Sequence, residues 1–163
     1  MFYYDSETIF GKSYPDWVVK WWQSWGYVDW RRNRGDVFMV PAKMQNDDIK
    51  ERSFKINKDK PILLSVINWI GPDLKEAKEE IDIVAKERLD VSLDGKQIGQ
   101  DSSRILTPFF RLRGKDYVSD GYWLFFKPNA LEEGRHEISS YGSCRSGKIQ
   151  IAMNYHLSVS SFT

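Results

Sequence analysis

The chain has 163 residues, a formal net charge of +1 and 15% aromatic residues. That length suits one domain with a substantial core, and the aromatic content argues against disorder. A near-neutral chain has no general attraction for nucleic acid or anionic membrane, and the single cysteine, Cys144, excludes an intrachain disulfide and a cysteine-built zinc site.

Met1 to Lys12 reads as a lead-in without a clean period, in which Phe2, Tyr3, Tyr4, Ile9 and Phe10 can pin the segment to the body. It lacks the basic-then-apolar pattern of a signal peptide. The next stretch, 13–25, holds four of the seven tryptophans. Ser13 and Asp16 form a Ser-x-x-Asp capping box, Pro15 suits the first helical turn, and Gly26 ends the helix. Trp17, Trp21 and Trp25 recur every four residues with Tyr14 and Val18 beside them, while Asp16, Lys20 and Gln23 fall on the opposite side. The expected use of this stripe is to cover a hydrophobic core. A second use is open at its margin, where Trp22 or Trp30 can line a groove that stacks a sugar, base or peptide.

Residues 29–34, including Trp30, Arg31 and Arg32, read as a polar loop. Strands are predicted over 36–42, with Phe38 and Val40 on one face, over 51–57, and over 61–70. The last of these is apolar on both faces, as befits a central strand covered on both sides, and the Trp helix is the best candidate for the second cover. Gly71-Pro72-Asp73 opens a second helix over 73–88, capped by Asp73 and Glu76, with Leu74, Ala77, Ile81 and Val84 on one side. A hairpin around Asp94-Gly95 follows. Further on come a strand over 104–113 bent at Pro108, a turn over 117–120, and a central strand over 121–127. A strand over 135–141, a turn over 142–147 and an alternating strand over 148–159 complete the chain. In that last strand Ile149, Ile151, Met153, Tyr155, Leu157 and Val159 point inward.

Around eight short strands with two helices predict a mainly β fold: an antiparallel β-sandwich, jelly-roll-like, with two helices packed on it. The expected organisation is a single domain over 1–163, with lead-in and Trp helix over 1–30 and the sandwich over 36–159. No repeat or linker is visible.

The Tyr14, Trp17, Lys20, Trp21, Trp22, Gln23 helix resembles the N-terminal helix of a family of uncharacterised archaeal and bacterial proteins. The similarity continues through Gly35 to Met39, Arg52 to Asn68, Asp94-Gly95, Ser119 to Trp123, Gly134 to Ile138 and Tyr155 to Leu157. Ser53 stands where the family pattern has cysteine, which fits a member without disulfides. The resemblance implies a Trp-rich helix followed by a β-sandwich, and brings no catalytic residue with it.

Motifs of catalysis are missing from the sequence: there is no Walker loop, no Gly-x-Ser-x-Gly elbow and no His-Glu-x-x-His. Strand alternation sends His136 inward with Ile138 and His156 outward with Asn154, which disfavours a joint metal site. Cys144 beside Arg145 reads as an incidental turn residue. Arg104, Arg111 and Arg113, with Arg31, Arg32 and Arg34, would need to share one face to serve nucleic acid, which the net charge disfavours. The leading expectation is a non-catalytic binding or structural module for a glycan, polymer or protein partner, with Trp22, Trp30, Arg31, Arg32 and Trp69 as candidate ligand contacts. A hydrolase with a cleft between the Trp helix and the sandwich is the alternative. No cofactor and no membrane span are expected, a homo-oligomer is open, and the lone cysteine fits a cytoplasmic setting.

Overall fold

A computed structural model of the chain describes residues 1–24, 35–41, 49–84, 89–144 and 149–161, with the backbone alone at 144 and 149–151. Trp25, Trp30, Arg31, Arg32 and Arg34, residues 85–88 of the expected second helix and the turn at 145–147 therefore lie outside the described residues. In chain order the elements are β1 (Thr8–Ile9), β2 (Lys12–Ser13), α1 (Tyr14–Ser24), β3 (Phe38–Val40), β4 (Lys50–Asn57) and β5 (Ile62–Gly71). These are followed by α2 (Leu74–Asp82), β6 (Asp90–Leu93), β7 (Lys96–Gln97), β8 (Ser103–Leu106), β9 (Phe110–Leu112), β10 (Lys115–Phe126), β11 (Gly134–Cys144) and β12 (Ile149–Ser160).

The fold is mainly β, with two α-helices among the described residues. The first large sheet runs β3-β5-β10-β8, with β9 also on β10; the second runs β4-β12-β11-β6-β7. Most neighbours are antiparallel, but β3 lies parallel to β5 and β4 parallel to β12, so both sheets are mixed at an edge. Side chains alternate across a strand, and the alternation divides the core in two. Ile62, Leu64, Leu124 and Phe126 of the first sheet share one apolar cluster with Val91, Ile138, Met153, Tyr155, Leu157 and Val159 of the second. The intervening Leu63, Trp123 and Phe125 form a second cluster with α1 on the other face of the first sheet.

α1 forms as its sequence predicts. Ser13 Oγ donates to Asp16 Oδ2 at 2.7 Å, and Asp16 N donates back to Ser13 Oγ at 3.2 Å, closing the capping box. Tyr14, Trp17, Val18, Trp21 and Trp22 are buried. The indole N–H groups are tied down as well: Trp17 Nε1 donates to the Ile9 carbonyl at 2.8 Å and Trp21 Nε1 to the Val40 carbonyl at 2.9 Å. Edge-on aromatic contacts seat the helix on β10, with Trp21 and Trp123 ring centres 5.1 Å apart. α2 is capped by Asp73, whose Oδ1 accepts from Glu76 N at 2.8 Å, and it buries Ala77 and Ile81. Leu74, expected on its buried side, is instead exposed.

Several boundaries differ from expectation. α2 ends at Asp82 with Ile83 as its C-cap, short of the helix expected to 88, and β11 continues through Cys144 into the expected turn. The predicted turn over 117–120 lies in the first half of β10, a twelve-residue strand. The predicted strand over 104–113 is two strands, β8 and β9, and β9 turns into β10 through Arg113-Gly114 with φ of 49° and 80°. The lead-in is organised: Tyr3 N donates to the Phe125 carbonyl at 2.7 Å and Lys127 N to the Met1 carbonyl at 2.8 Å, which lays the N-terminus beside the end of β10. Gly121 is required within β10, because a Cβ there would lie 2.5 Å from Ile67 O and from Asn68 Cβ on β5. No helix among the described residues is long and apolar enough to cross a membrane.

Candidate functional site

The two faces of the second sheet have different fates. One face is core, and the other carries the polar positions of the same alternating strands. Cross-strand register places Glu137 of β11 beside His156 of β12, and His156 beside Ser53 of β4, so three adjacent strands present one row of outward side chains. Arg135, Ser158 and Lys55 form the next row. At this end of the sheet lies a cavity of about 490 Å³, lined by Ser53, Asp94, Arg135, His136, Glu137, His156, Leu157 and Ser158.

Its wall is built by the turn after β6. β6 pairs β11 as far as Leu93, and there Asp94 replaces the ladder with its own groups. Asp94 N donates to the Glu137 carbonyl at 2.8 Å, while Asp94 Oδ1 accepts from Glu137 N at 2.8 Å. Asp94 tolerates the left-handed backbone of this turn, with φ of 50° before Gly95 at 81°. Its other carboxylate oxygen, Oδ2, lies 2.7 Å from His136 Nδ1, and His136 Nε2 lies 2.9 Å from the Glu132 carbonyl. Both partners are acceptors, so only the doubly protonated ring can donate to each. Burial of the His136 ring works against that charge, but the hydrogen bonds to Asp94 and Glu132 outweigh it and hold the pKa above its ordinary value. Asp94 is the mirror case. Partial burial raises its pKa, and the bonds from His136 and Glu137 N reverse the sign and hold it below the ordinary carboxylate value.

His156 is the accessible ring. Its Nδ1 is 3.7 Å from Glu137 Oε2 and its Nε2 is 3.8 Å from Glu51 Oε1, close enough to pair with either carboxylate when protonated but too long for hydrogen bonds. Among the described residues no hydrogen bond joins Ser53 to His156. No group of three or more His, Cys, Asp or Glu side chains among them could hold a metal ion. The histidines keep the opposite orientations that strand alternation predicts, yet both line this one cavity at the sheet's end. The site thus offers hydroxyls, two carboxylates, an arginine and two imidazoles around an open, water-accessible space.

Of the residues singled out from sequence, the two described tryptophans fall elsewhere. Trp22 is 5% exposed, and its indole N–H donates to Ser119 Oγ at 2.8 Å. Trp69 is half-buried on β5, opposite Asp120 of β10, and packs against the core shared by the two sheets. Trp22 and Trp69 therefore meet successive residues of β10, whose side chains point to opposite faces. Trp30, Arg31 and Arg32 are outside the described residues. Arg104 is held between Asp120 and Asp82, 2.6 Å and 2.7 Å from their carboxylates, and bridges β8, β10 and α2. Arg111 pairs with Asp116 at 3.4 Å. A second cavity, of about 440 Å³, lies between the N-terminal residues Met1 to Tyr4 and the chain from Leu93 to Ser103. Its lining mixes apolar Met1, Phe2, Leu93 and Ile98 with polar Lys96, Gln100 and Asp101.

Sequence reading finds the orientation of His136 and His156 but misses the cavity. Asp94 comes to His136 from 42 residues away, through the β6–β11 register, which no local pattern encodes. Comparison with protein-family models, curated proteins and solved structures gives no match.

Proposed function

We propose that the chain is a non-catalytic binding module whose ligand is rich in hydroxyl groups, a glycan above all, held at the cavity on the outer face of the second sheet. The observation that carries this reading is the row of Glu137, His156 and Ser53 across three adjacent strands, next to Arg135 and Ser158. Paired donors and acceptors on a rigid sheet suit a polyol, which needs many short, directional hydrogen bonds from a fixed surface. What supports a non-catalytic role is the state of the more enclosed histidine. His136 has both ring nitrogens engaged, so it braces the turn rather than waiting to move a proton. The hydrolase alternative, with a cleft under the Trp helix, is the weaker reading because Trp17, Trp21 and Trp22 fill that junction with bonded indoles.

The finer architecture belongs to the same proposal: a jelly-roll-like β-sandwich. Its support is the shared core, together with the way β3, β4, β5 and β6 alternate between the two sheets. So does kinship with the Trp-rich family, which rests on the capped helix and its buried indoles, and so does a cytoplasmic setting, which rests on the single cysteine. Trp30, Arg31 and Arg32 stay within the proposal as stacking and cationic candidates, with Trp22 as part of the helix that backs the first sheet and Trp69 as a half-buried residue against the core between the sheets.

A glycan array probed with the purified chain tests the reading. The expected result is retention of a defined glycan, weakened about tenfold or more by His156→Ala and by Glu137→Ala, and unchanged by Trp69→Ala. No glycan retained would overturn it. So would retention lost with Trp69→Ala but kept by the other two variants, because that would move the ligand off this cavity.

A further inference from the structure

β4 stands at the end of the second sheet and pairs β12 through all eight of its residues, Lys50 to Asn57, without a register shift. Among the described residues no strand pairs its other side. A strand of this length at an edge offers a row of backbone donors and acceptors, and proteins usually blunt such edges with proline, a bulge, brevity or charged side chains. The other strands that end the two large sheets are short: three residues in β3, four in β8 and two in β7. β4 has neither proline nor bulge. It has charges instead, and their order is informative.

Register with β12 sends Glu51, Ser53 and Lys55 outward and Arg52, Phe54 and Ile56 toward the core side. Consider two copies of β4 meeting antiparallel about a two-fold axis perpendicular to the sheet. Centred on Ser53, the pairing sets Glu51 opposite Lys55 of the second copy and Lys55 opposite its Glu51, with Arg52 across from Phe54. Two ion pairs form on the open face, and the arginine stem covers an aromatic ring on the other. Every neighbouring register is worse. Centring on Arg52 opposes two arginines, centring on Glu51 or Lys55 opposes like charges, and centring on Phe54 leaves no charge pair. A shift by one residue would turn the outward row of the second copy to the core side.

We infer that β4 is a self-complementary dimerisation edge and that its occupant is β4 of a second copy of this chain, giving one continuous ten-stranded sheet. The outward row then reads Glu137, His156, Ser53, followed by Ser53, His156 and Glu137 of the second copy. At the usual strand spacing the two His156 rings stand about 14 Å apart. Both cavities open on the same side of that sheet, an arrangement suited to one extended polymer. The pairing itself stands on β4 alone and is independent of what the cavity binds.

Sedimentation equilibrium of the whole chain, with two charge reversals, tests this. Wild type is expected at twice the 19.2 kDa chain mass. Glu51→Lys and Lys55→Glu each put like charges at both cross-strand positions and weaken dimerisation about tenfold or more. Mixed in equal amounts, the two variants regain a dimer of wild-type affinity. One chain then carries lysine at both positions and the other glutamate at both, so each cross-strand pair is again an ion pair. Both side chains are exposed, so circular dichroism of each variant matches wild type. A wild-type monomer at every concentration would overturn the inference, as would a dimer indifferent to either reversal or a mixture that fails to recover.

Discussion

His136 has an acceptor at each ring nitrogen, and this makes one residue a reporter for the geometry of the whole β6–β11 turn. Its pKa stands above the ordinary histidine value, so its contribution to stability is complete below about pH 6.5 and fades as pH rises through the raised folded pKa. Asp94 stands below its ordinary value, so its contribution is present above about pH 4 and fades as pH falls through the depressed folded pKa. The two conditions overlap between about pH 4 and 6.5. Urea unfolding of wild type and His136→Ala should therefore differ most in that window, and the gap should narrow toward pH 9. The Asp94 side chain is 47% exposed, so solvent screening limits the pH-dependent part to about 1 kcal/mol or less. A difference that stays flat from pH 5 to pH 9 would mean that the ring is not held as the cation.

At the scale of elements, two hairpins built alike differ in how plainly the sequence announces them. Asp94-Gly95 and Arg113-Gly114 both place a left-handed residue before a left-handed glycine, with φ of 50° and 81° in the first and 49° and 80° in the second. Asp-Gly is a recognised two-residue hairpin signal; Arg-Gly is not, because a long side chain gains nothing locally from the left-handed region. That is why the first turn is legible and the second is not. It is also why β9 and the start of β10 read, from sequence, as a strand end and a turn. The long alternating and apolar runs of β5 and β12 are legible for the opposite reason, since burial on one or both faces writes itself into every residue. Arg113 is exposed. Replacing it by Asn keeps the turn and lowers the cost of the left-handed backbone, so Arg113→Asn should stabilise the chain by about 0.5–1 kcal/mol in urea unfolding. Loss of stability would show that Arg113 does something beyond shaping the turn.

The molecule as a whole is asymmetric about its two sheets. The first is apolar on both faces, one toward the second sheet and one toward α1, whereas the second has a covered face and an open polar one. Stability and recognition should separate along that line. Trp21 is 3% exposed and packs edge-on against both Trp22 and Trp123. Trp21→Ala removes a ring from a space that can close only partly, and it strips the Val40 carbonyl of its donor. The expected cost is about 3–5 kcal/mol, a large share of the roughly 5–15 kcal/mol that holds a domain of this size. His156→Ala and Glu137→Ala alter outward side chains with only long-range charge contacts, and each should change stability by no more than about 0.5 kcal/mol. The check is one set of denaturation curves beside one set of binding curves. Trp21→Ala should shift the unfolding midpoint sharply, while whatever population remains folded keeps the affinity of wild type. The outward variants should leave the midpoint in place and lose the ligand. If Trp21→Ala and His156→Ala instead shifted both curves together, the helix and the outer face would belong to one site, and the division of labour between the two sheets would be wrong.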